Sequence, residues 1–362
     1  MHLGLVIYGS LNTLTGGYIY DRLLVEHLQS RGHRVDIISL PRRNYGLHLL
    51  DNWSPGLRSD LIAGPYDILL QDELNHPSLF HTNRHLQRNG KFTIVAIVHQ
   101  VLCRQPRNGL LNRIYQAIER RYLESVDAII FNSNTTRTTV ETIVNGQRPS
   151  IAAYPAGDRL GHLPSMDLID SRTREIGPLR SIFVGNVLPH KGLLPLIKGL
   201  SHLAHEKWHL TVVGSLTMDT RYVREIERLI AQNNLSRQVE MTGPKDGNQL
   251  ANLFRQSHVF VMPYSHEGFG MAHLEAMAFG LPVMGSSEGA VKEFVIPGQN
   301  GFLFKTDDFE SVNACIQNLH HDRQRLRELS HTAFRTYKDH PKWNDTMESI
   351  HRFLTSLAES KL

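Results

Sequence analysis

Cysteine is nearly absent from this 362-residue chain: Cys103 and Cys315 stand alone and far apart. That excludes a disulfide framework and a thiolate zinc site, and it suits a reducing compartment such as the cytoplasm. Long apolar runs are missing too, since none approaches the ~18 residues a membrane-spanning helix needs. No two aspartates stand two positions apart, which removes a common way of gripping a divalent cation. No metal is expected, and the 21 histidines are read as surface or core residues. Charge of one sign is also scarce: 39 Lys and Arg against 35 Asp and Glu leave a net +4, with no motif for nucleic acid. The first residues, Met1-His2-Leu3-Gly4-Leu5-Val6-Ile7-Tyr8, lack a basic leader and read as a buried strand, so export is not expected.

What is present is alternation. Apolar runs at 3–8, 35–40, 68–70, 92–98 and 128–131 are separated by amphipathic stretches, and a second series follows at 181–184, 210–213, 239–242, 259–262 and 283–285. Strands that are apolar throughout, with helices between them, predict α/β domains with parallel sheets covered on both faces. The length suits two such domains. Residues 155–178 are rich in Gly, Pro, Asp and Ser, so the boundary falls there. The expected division is a first domain 1–160, a linker 161–178 and a second domain 179–343, with a final helix at 344–362 packing back on the first.

The most informative segment reads Glu267-Gly268-Phe269-Gly270-Met271-Ala272-His273-Leu274-Glu275. An apolar strand precedes it, and strong helix formers ending at Gly280 follow Gly270, so the glycines mark a strand-to-helix turn. A helix start leaves about four backbone N–H groups without helical partners and carries roughly half a positive charge. It attracts phosphate, and glycine lets a ligand approach the backbone. Glu267 in the turn and Glu275 one to two turns into the helix are carboxylates placed to accept from sugar hydroxyls. Near the amino terminus, Gly16 and Gly17 stand at the entrance of a helix expected over 18–31, and His99 ends the strand at 92–98.

The pattern Glu-Gly-Phe-Gly-x-x-x-x-Glu-Ala-Met-Ala-x-Gly-x-Pro-Val, from Glu267 to Val283, resembles the signature of the family 4 retaining glycosyltransferases, also called glycosyl transferases group 1. Further pieces resemble the same family: Ser181-Ile182-Phe183-Val184-Gly185-Asn186 with Lys191-Gly192, then Gly289, Glu293 and Gly298-Gln299-Asn300-Gly301-Phe302-Leu303. Phe131-Asn132-Ser133 and Pro155-Ala156-Gly157-Asp158 fall where the family has its serine and asparagine-glycine-valine-aspartate elements. The resemblance implies a GT-B fold, two Rossmann-like doubly wound domains facing each other across a cleft. It also implies roles. Glu267 holds donor-sugar hydroxyls. The backbone of Gly268, Phe269, Gly270, Met271 and Ala272 takes the distal phosphate, and Glu275 holds the ribose. Lys191 neutralises the diphosphate, Gly16 and Gly17 touch phosphate or sugar, and His99 lies against the sugar. Thr242-Gly243 reads the nucleobase through backbone groups, which leaves uridine, guanosine and adenosine diphosphates all open. Uridine is favoured because it is common among relatives that assemble polysaccharides. One position departs from the family: Asn186 stands where an arginine is usual, so Lys191 would carry the charge with only an uncharged neighbour.

Together these readings give a cytoplasmic, metal-independent, retaining hexosyltransferase that needs no cofactor. It would carry glucose, by preference, from a UDP-sugar to a glycan or lipid-linked saccharide in polysaccharide biosynthesis. A nucleotide-sugar 2-epimerase of the same fold and a catalytically silent sugar-nucleotide binder are the alternatives. Finally, Arg104, Arg107, Arg113, Arg120 and Arg121 are interleaved with Leu110, Leu111, Ile114, Tyr115, Ile118 and Leu123. This basic amphipathic stretch, 104–121, is a candidate for peripheral contact with an anionic membrane.

Overall fold

The computed structural model describes residues 1–104, 109–263, 267–305 and 308–360. The chain divides into two compact units, one formed by Met1–Pro155 with Trp343–Leu362, the other by Ala156–Lys342. Each is built around a six-stranded, wholly parallel sheet. In the first unit the strands are β1 (His2–Tyr8), β2 (Arg34–Leu40), β3 (Ile68–Asp72), β4 (Thr93–Val98), β5 (Ala128–Phe131) and β6 (Ser150–Ala152). Their spatial order is β2-β1-β3-β4-β5-β6. The central strands β3, β4 and β5 are buried along their whole length, as strands covered on both faces must be.

The second unit contains β7 (Leu179–Val184), β8 (Trp208–Val213), β9 (Val239–Gly243), β10 (Val259–Val261), β11 (Val283–Ser286) and β12 (Gly301–Phe304). Here the order is β12-β11-β10-β7-β8-β9. In each sheet the sequence order runs outward in opposite directions from one point, between β1 and β3 in the first and between β7 and β10 in the second. Loops leaving the carboxyl ends of strands diverge at such a switch point and leave a crevice, where open α/β sheets bind ligands.

Several elements differ from the sequence reading. The short edge strands β6 and β12 were not anticipated. Each needs to pair on one side only, so three or four residues suffice and leave little pattern. Residues 161–178, expected as a linker, contain the helix Met166–Arg174, capped by Ser165 accepting from the Leu168 N–H. That helix buries Ile169, Arg172 and Thr173 and belongs to the second unit. Its single inward turn is too short to show a helical period among so many polar residues. Gly16 and Gly17 are the first two residues of the helix Gly16–Ser30 and not part of the loop before it.

The last described helix, Trp343–Glu359, buries Trp343, Thr346, Met347, Ile350 and Leu354, the stripe of an amphipathic helix. It lies against the helix Gly16–Ser30, where Glu348 pairs with Arg31 at 2.7 Å and with His27 at 3.2 Å. The Thr346 hydroxyl donates to the Tyr154 carbonyl at 2.7 Å. Beside this pair His33 Nε2 meets His351 Nε2 at 2.8 Å.

Burial, helped by the neighbouring N-terminal ammonium and His351, holds His33 below its ordinary value. Burial opposes ionisation of Glu348, but the His27 hydrogen bond and the Arg31 and His351 charges hold it below the ordinary range. In both cases the unfolded chain binds the proton more readily. Stability is therefore lost as pH falls, for His33 below about 6.5 and for Glu348 below about 4.3. Hydrogen exchange, corrected for intrinsic rates, should show residues 343–359 losing protection between pH 7 and 5. His33→Gln should flatten that dependence, and an unchanged slope in the variant would contradict it.

Candidate functional site

The second unit gathers most of the residues singled out from sequence around the carboxyl ends of β7 and β10. The loop after β7 runs through Gly185 and Asn186 into the turn Pro189–Lys191, and Gly192 (φ +72°) opens the helix Leu193–Leu200. Asn186 has a structural task here: its Oδ1 accepts from the Ser215 N–H at 3.2 Å, tying the loop after β7 to the loop after β8. An arginine has no acceptor and could not make this bond, which is a physical reason for the departure at this position.

From the end of β10 the chain returns to the described residues at Glu267, which Lys191 meets: its Nζ donates to Glu267 Oε1 at 2.6 Å. The Glu267 carbonyl accepts from the Ala290 N–H at 3.1 Å, fixing the backbone behind the carboxylate. Gly268 and Phe269 follow, with Phe269 buried against Phe294 and His340. Gly270 then caps the helix Met271–Ala278 with φ +96°. A side chain is excluded there twice over, because a Cβ would also lie 2.7 Å from Val291 Cγ2. The left-handed glycine lets the chain turn directly into the helix, whose first amides, from Met271 and Ala272 onward, have no carbonyl of a preceding helical turn to bond.

Glu275 sits in the second turn of that helix, buried, and Arg159 clasps it with both ends of its fork. Nη2 reaches Oε2 at 3.0 Å and Nε donates to Oε1. Burial pushes the Glu275 carboxyl up and Arg159 pulls it back. Arg159 was missed from sequence, since it lies outside every strand and helix in a stretch read as the edge of a linker. His273, on the same helix, is fully buried against Phe260 and is pushed down to about 4 by burial, so it stays neutral. The Thr242 hydroxyl donates to the Val212 carbonyl at 3.1 Å, and Gly243 (φ +71°) accepts from the Gly214 N–H at 3.1 Å. Thr242 and Gly243 are thus the last two residues of β9, held onto β8 at a register shift.

In the first unit His99 follows β4, and its Nε2 lies 2.9 Å from Asp21 Oδ1. Asn132 Nδ2 donates to the His99 carbonyl at 2.7 Å. Burial alone would lower the imidazole pKa, but the charge and hydrogen bond of Asp21, with Asp72 and Glu73 beyond, outweigh it and hold His99 above its ordinary value. Gly17 packs on this ring so closely that a Cβ would lie 3.0 Å from its Cδ2. Asp21 was also missed: it is a buried acid on a helix face otherwise formed by Tyr18, Leu24, Val25 and Leu28.

The basic stretch lies in part among the described residues. Arg107 lies outside the described residues. Arg104 reaches the Thr142 hydroxyl at 3.0 Å, and Arg120 pairs with Glu124 at 2.8 Å. The helix Gly109–Leu123 buries Ile118, Glu119, Tyr122 and Leu123, while Leu110, Leu111 and Ile114 are 70, 42 and 48% exposed. One run, His205-Glu206-Lys207-Trp208-His209, has the spacing of a helical zinc motif. It forms the turn His205–Lys207 and the start of β8, so its two histidines do not share a helix face.

Arg159→Ala should cost about 2–3 kcal/mol, less than the 3–5 of a fully buried pair because Arg159 is partly exposed. The double variant Arg159→Ala/Glu275→Gln should recover most of it, since no carboxylate is then left without its partner. Urea unfolding measures both. A double variant no more stable than the single one would show that the pair does not hold the domain.

Two family descriptions match the chain. Glycosyltransferase Family 4 matches residues 19–149, and glycosyl transferases group 1 matches residues 170–336. An uncharacterized glycosyltransferase of Methanocaldococcus jannaschii is 26% identical over 178 residues, 49% of this chain and 48% of that one, so the chain spans about half of that relative. A D-inositol 3-phosphate glycosyltransferase of Corynebacterium jeikeium is 25% identical over 340 residues, 81% of this chain and 80% of that one. Among solved structures, sucrose-phosphate synthase from Thermosynechococcus elongatus superposes with a TM-score of 0.84 at 20% identity, covering 99% of this chain and 100% of that one. The Anabaena protein HepE in complex with UDP-glucose gives 0.78 at 17% identity, covering 98 and 100%. The chain thus joins a Glycosyltransferase Family 4 domain to a glycosyl transferases group 1 domain, each a Rossmann-like unit of the GT-B fold.

Proposed function

We propose that this protein is a retaining hexosyltransferase that moves glucose, by preference, from UDP-glucose to a hydroxyl of a growing glycan or lipid-linked saccharide. The observation that carries this reading is the Lys191–Glu267 pair, 2.6 Å apart beside the glycine-capped start of the helix Met271–Ala278, at the switch point of a parallel sheet. A cation near a helix start suits a diphosphate, and the carboxylates of Glu267 and Glu275 suit the hydroxyls of a sugar and a ribose. The UDP-glucose complex of the Anabaena neighbour supports the choice of donor. We place the reaction in the cytoplasm, where the buried, unpaired Cys103 and Cys315 would stay reduced.

No side chain is assigned as a covalent nucleophile, and no metal or cofactor is asked for in the transfer. The acceptor hydroxyl attacks on the face that the leaving diphosphate departs from, and that phosphate takes its proton. Lys191 and the amides of Gly270, Met271 and Ala272 stabilise the charge growing on the diphosphate. Glu267 holds sugar hydroxyls, and release of Lys191 to the phosphate frees its carboxylate for them. His99, oriented by Asp21, keeps the contact with the sugar that the family resemblance gives it. Glu275 accepts from the ribose while Arg159 holds its charge in place.

Slow hydrolysis of a panel of nucleotide sugars identifies the donor without an acceptor and separates transfer from epimerisation or silent binding. UDP-glucose should turn over fastest. Lys191→Ala should lower that rate by roughly a hundred- to a thousandfold, the usual cost of about 2.7–4 kcal/mol for one such electrostatic partner. The fold should survive, with an unchanged far-ultraviolet circular dichroism spectrum and only the modest drop in unfolding midpoint expected from losing a part-buried ion pair. A variant within about threefold of wild type would remove Lys191 from the mechanism.

Among the described residues no helix is long and apolar enough to cross a membrane. The exposed Leu110, Leu111 and Ile114 beside Arg104 and Arg113 support peripheral contact, with each basic residue worth about 1 kcal/mol toward anionic lipid. Sedimentation with anionic vesicles at low salt should recover the protein, and neutral vesicles should not. Replacing Arg104 and Arg113 should reduce recovery; equal recovery with both vesicles would favour a soluble acceptor.

A further inference from the structure

Directly after β3, the chain places Glu73 and His76 one helical turn apart, and the helix Gly109–Leu123 brings Glu119 against them. All three side chains are buried, and one donor atom from each lies within 4.8 Å of the others. We propose that Glu73, His76 and Glu119 bind a divalent transition-metal cation, zinc by affinity, inside the first domain. None of these residues belongs to the donor-binding group.

The first argument is chemical. Two carboxylates and one imidazole are an N,O donor set that zinc and manganese accept, and zinc binds such sets more tightly. Three protein ligands leave one tetrahedral position for a water.

The second argument is the state of Glu73. Its carboxyl is buried, and the side chain it faces within hydrogen-bonding reach is another acid, Glu119, so the pair needs a proton or a cation between them. His76 Nδ1 lies 2.9 Å from Oε1, but its alignment favours the Glu73 backbone carbonyl at 3.0 Å. A buried carboxylate without donors costs several kcal/mol unless a proton or a cation neutralises it. Glu119 by contrast is firmly oriented: its Oε1 accepts from the Leu102 N–H at 2.7 Å and its Oε2 from the Cys103 N–H at 3.0 Å. Each of those oxygens keeps a lone pair for a cation.

The third argument is the support behind the imidazole. His76 Nε2 lies 2.9 Å from the Tyr45 hydroxyl, and Tyr45 stacks on Tyr115 at 4.0 Å between ring centres. As it stands Nδ1–H donates to the Glu73 backbone carbonyl and Nε2 accepts from the Tyr45 hydroxyl; a cation at Nδ1 would take the other neutral tautomer, with the proton on Nε2 donated to Tyr45. A histidine held at one nitrogen so that the other can ligate is the usual outer support of a metal site. The cation would pin the loop after β3 to the helix Gly109–Leu123, at the switch point of the first sheet.

The test uses the whole protein. After dialysis against a chelator, titration with zinc chloride should show one tight site and raise the melting midpoint, and cobalt should give the visible d–d bands of a tetrahedral site. Tyr45→Phe keeps the ring and should weaken zinc binding by about 10–100-fold; Glu73→Gln and His76→Gln should abolish the tight site. If neither zinc nor manganese binds tightly and the midpoint does not move, Glu73 and Glu119 share a proton and the proposal is wrong. Tight binding that survives Glu73→Gln and His76→Gln would place the metal elsewhere and equally overturn it.

Discussion

Every strand in both sheets runs parallel to its neighbours, and a parallel strand can be reached only by a crossover that carries the chain from one end of the sheet back to the other. Loops that face the same edge are therefore forced to gather at the carboxyl ends of the strands, whatever their sequences. Where the strand order reverses, two of these loops leave in opposite directions and open a crevice. In the second unit that reversal lies between β7, which leads to Lys191, and β10, which leads to Glu267. Residues 76 positions apart in sequence become an ion pair because the topology gives their loops one place to go.

The charges in that crevice are balanced internally before any ligand is considered. Lys191 is matched by Glu267 and Glu275 by Arg159. Such pairs let charged groups sit partly out of water without being left uncompensated. In the proposed function a phosphate arriving at Lys191 would exchange one anionic partner for another, and the carboxylate it displaces would become available to hydroxyl donors. Binding of the two halves of a nucleotide sugar would then be coupled through a single proton-free exchange of partners. His273, neutral and buried on the same helix as Glu275, adds no charge to this balance.

Much of this was legible in the sequence because it rests on local chemistry. Apolar runs mark buried parallel strands, and Gly268-Phe269-Gly270 before strong helix formers marks a helix start; the helix Met271–Ala278 begins where the glycines end. The residues that escaped notice are defined by long-range geometry. Arg159 stands 116 positions from Glu275 and Asp21 stands 78 from His99, and nothing adjacent to either advertises a partner. Asn186 looked like a weakened clamp when read against a family pattern, whereas its side chain closes a loop onto Ser215. The helix Met166–Arg174 was hidden for a compositional reason: Pro, Gly, Ser and Asp around it are turn formers, and its few inward residues are too few to set a period.

The first unit is discontinuous: Ala156–Lys342 is inserted whole between Pro155 and Trp343. The stripe of Trp343, Met347, Ile350 and Leu354 that completes the first unit emerges from the ribosome only after the entire second unit. At about 5–20 residues per second this delay is on the order of ten seconds or more. During synthesis the surface around Tyr20, which will meet Trp343 edge-on, waits uncovered while the second unit already has all of its chain. The order of completion is thus the reverse of the order of synthesis, and the nascent first unit is the part with an apolar seam to protect.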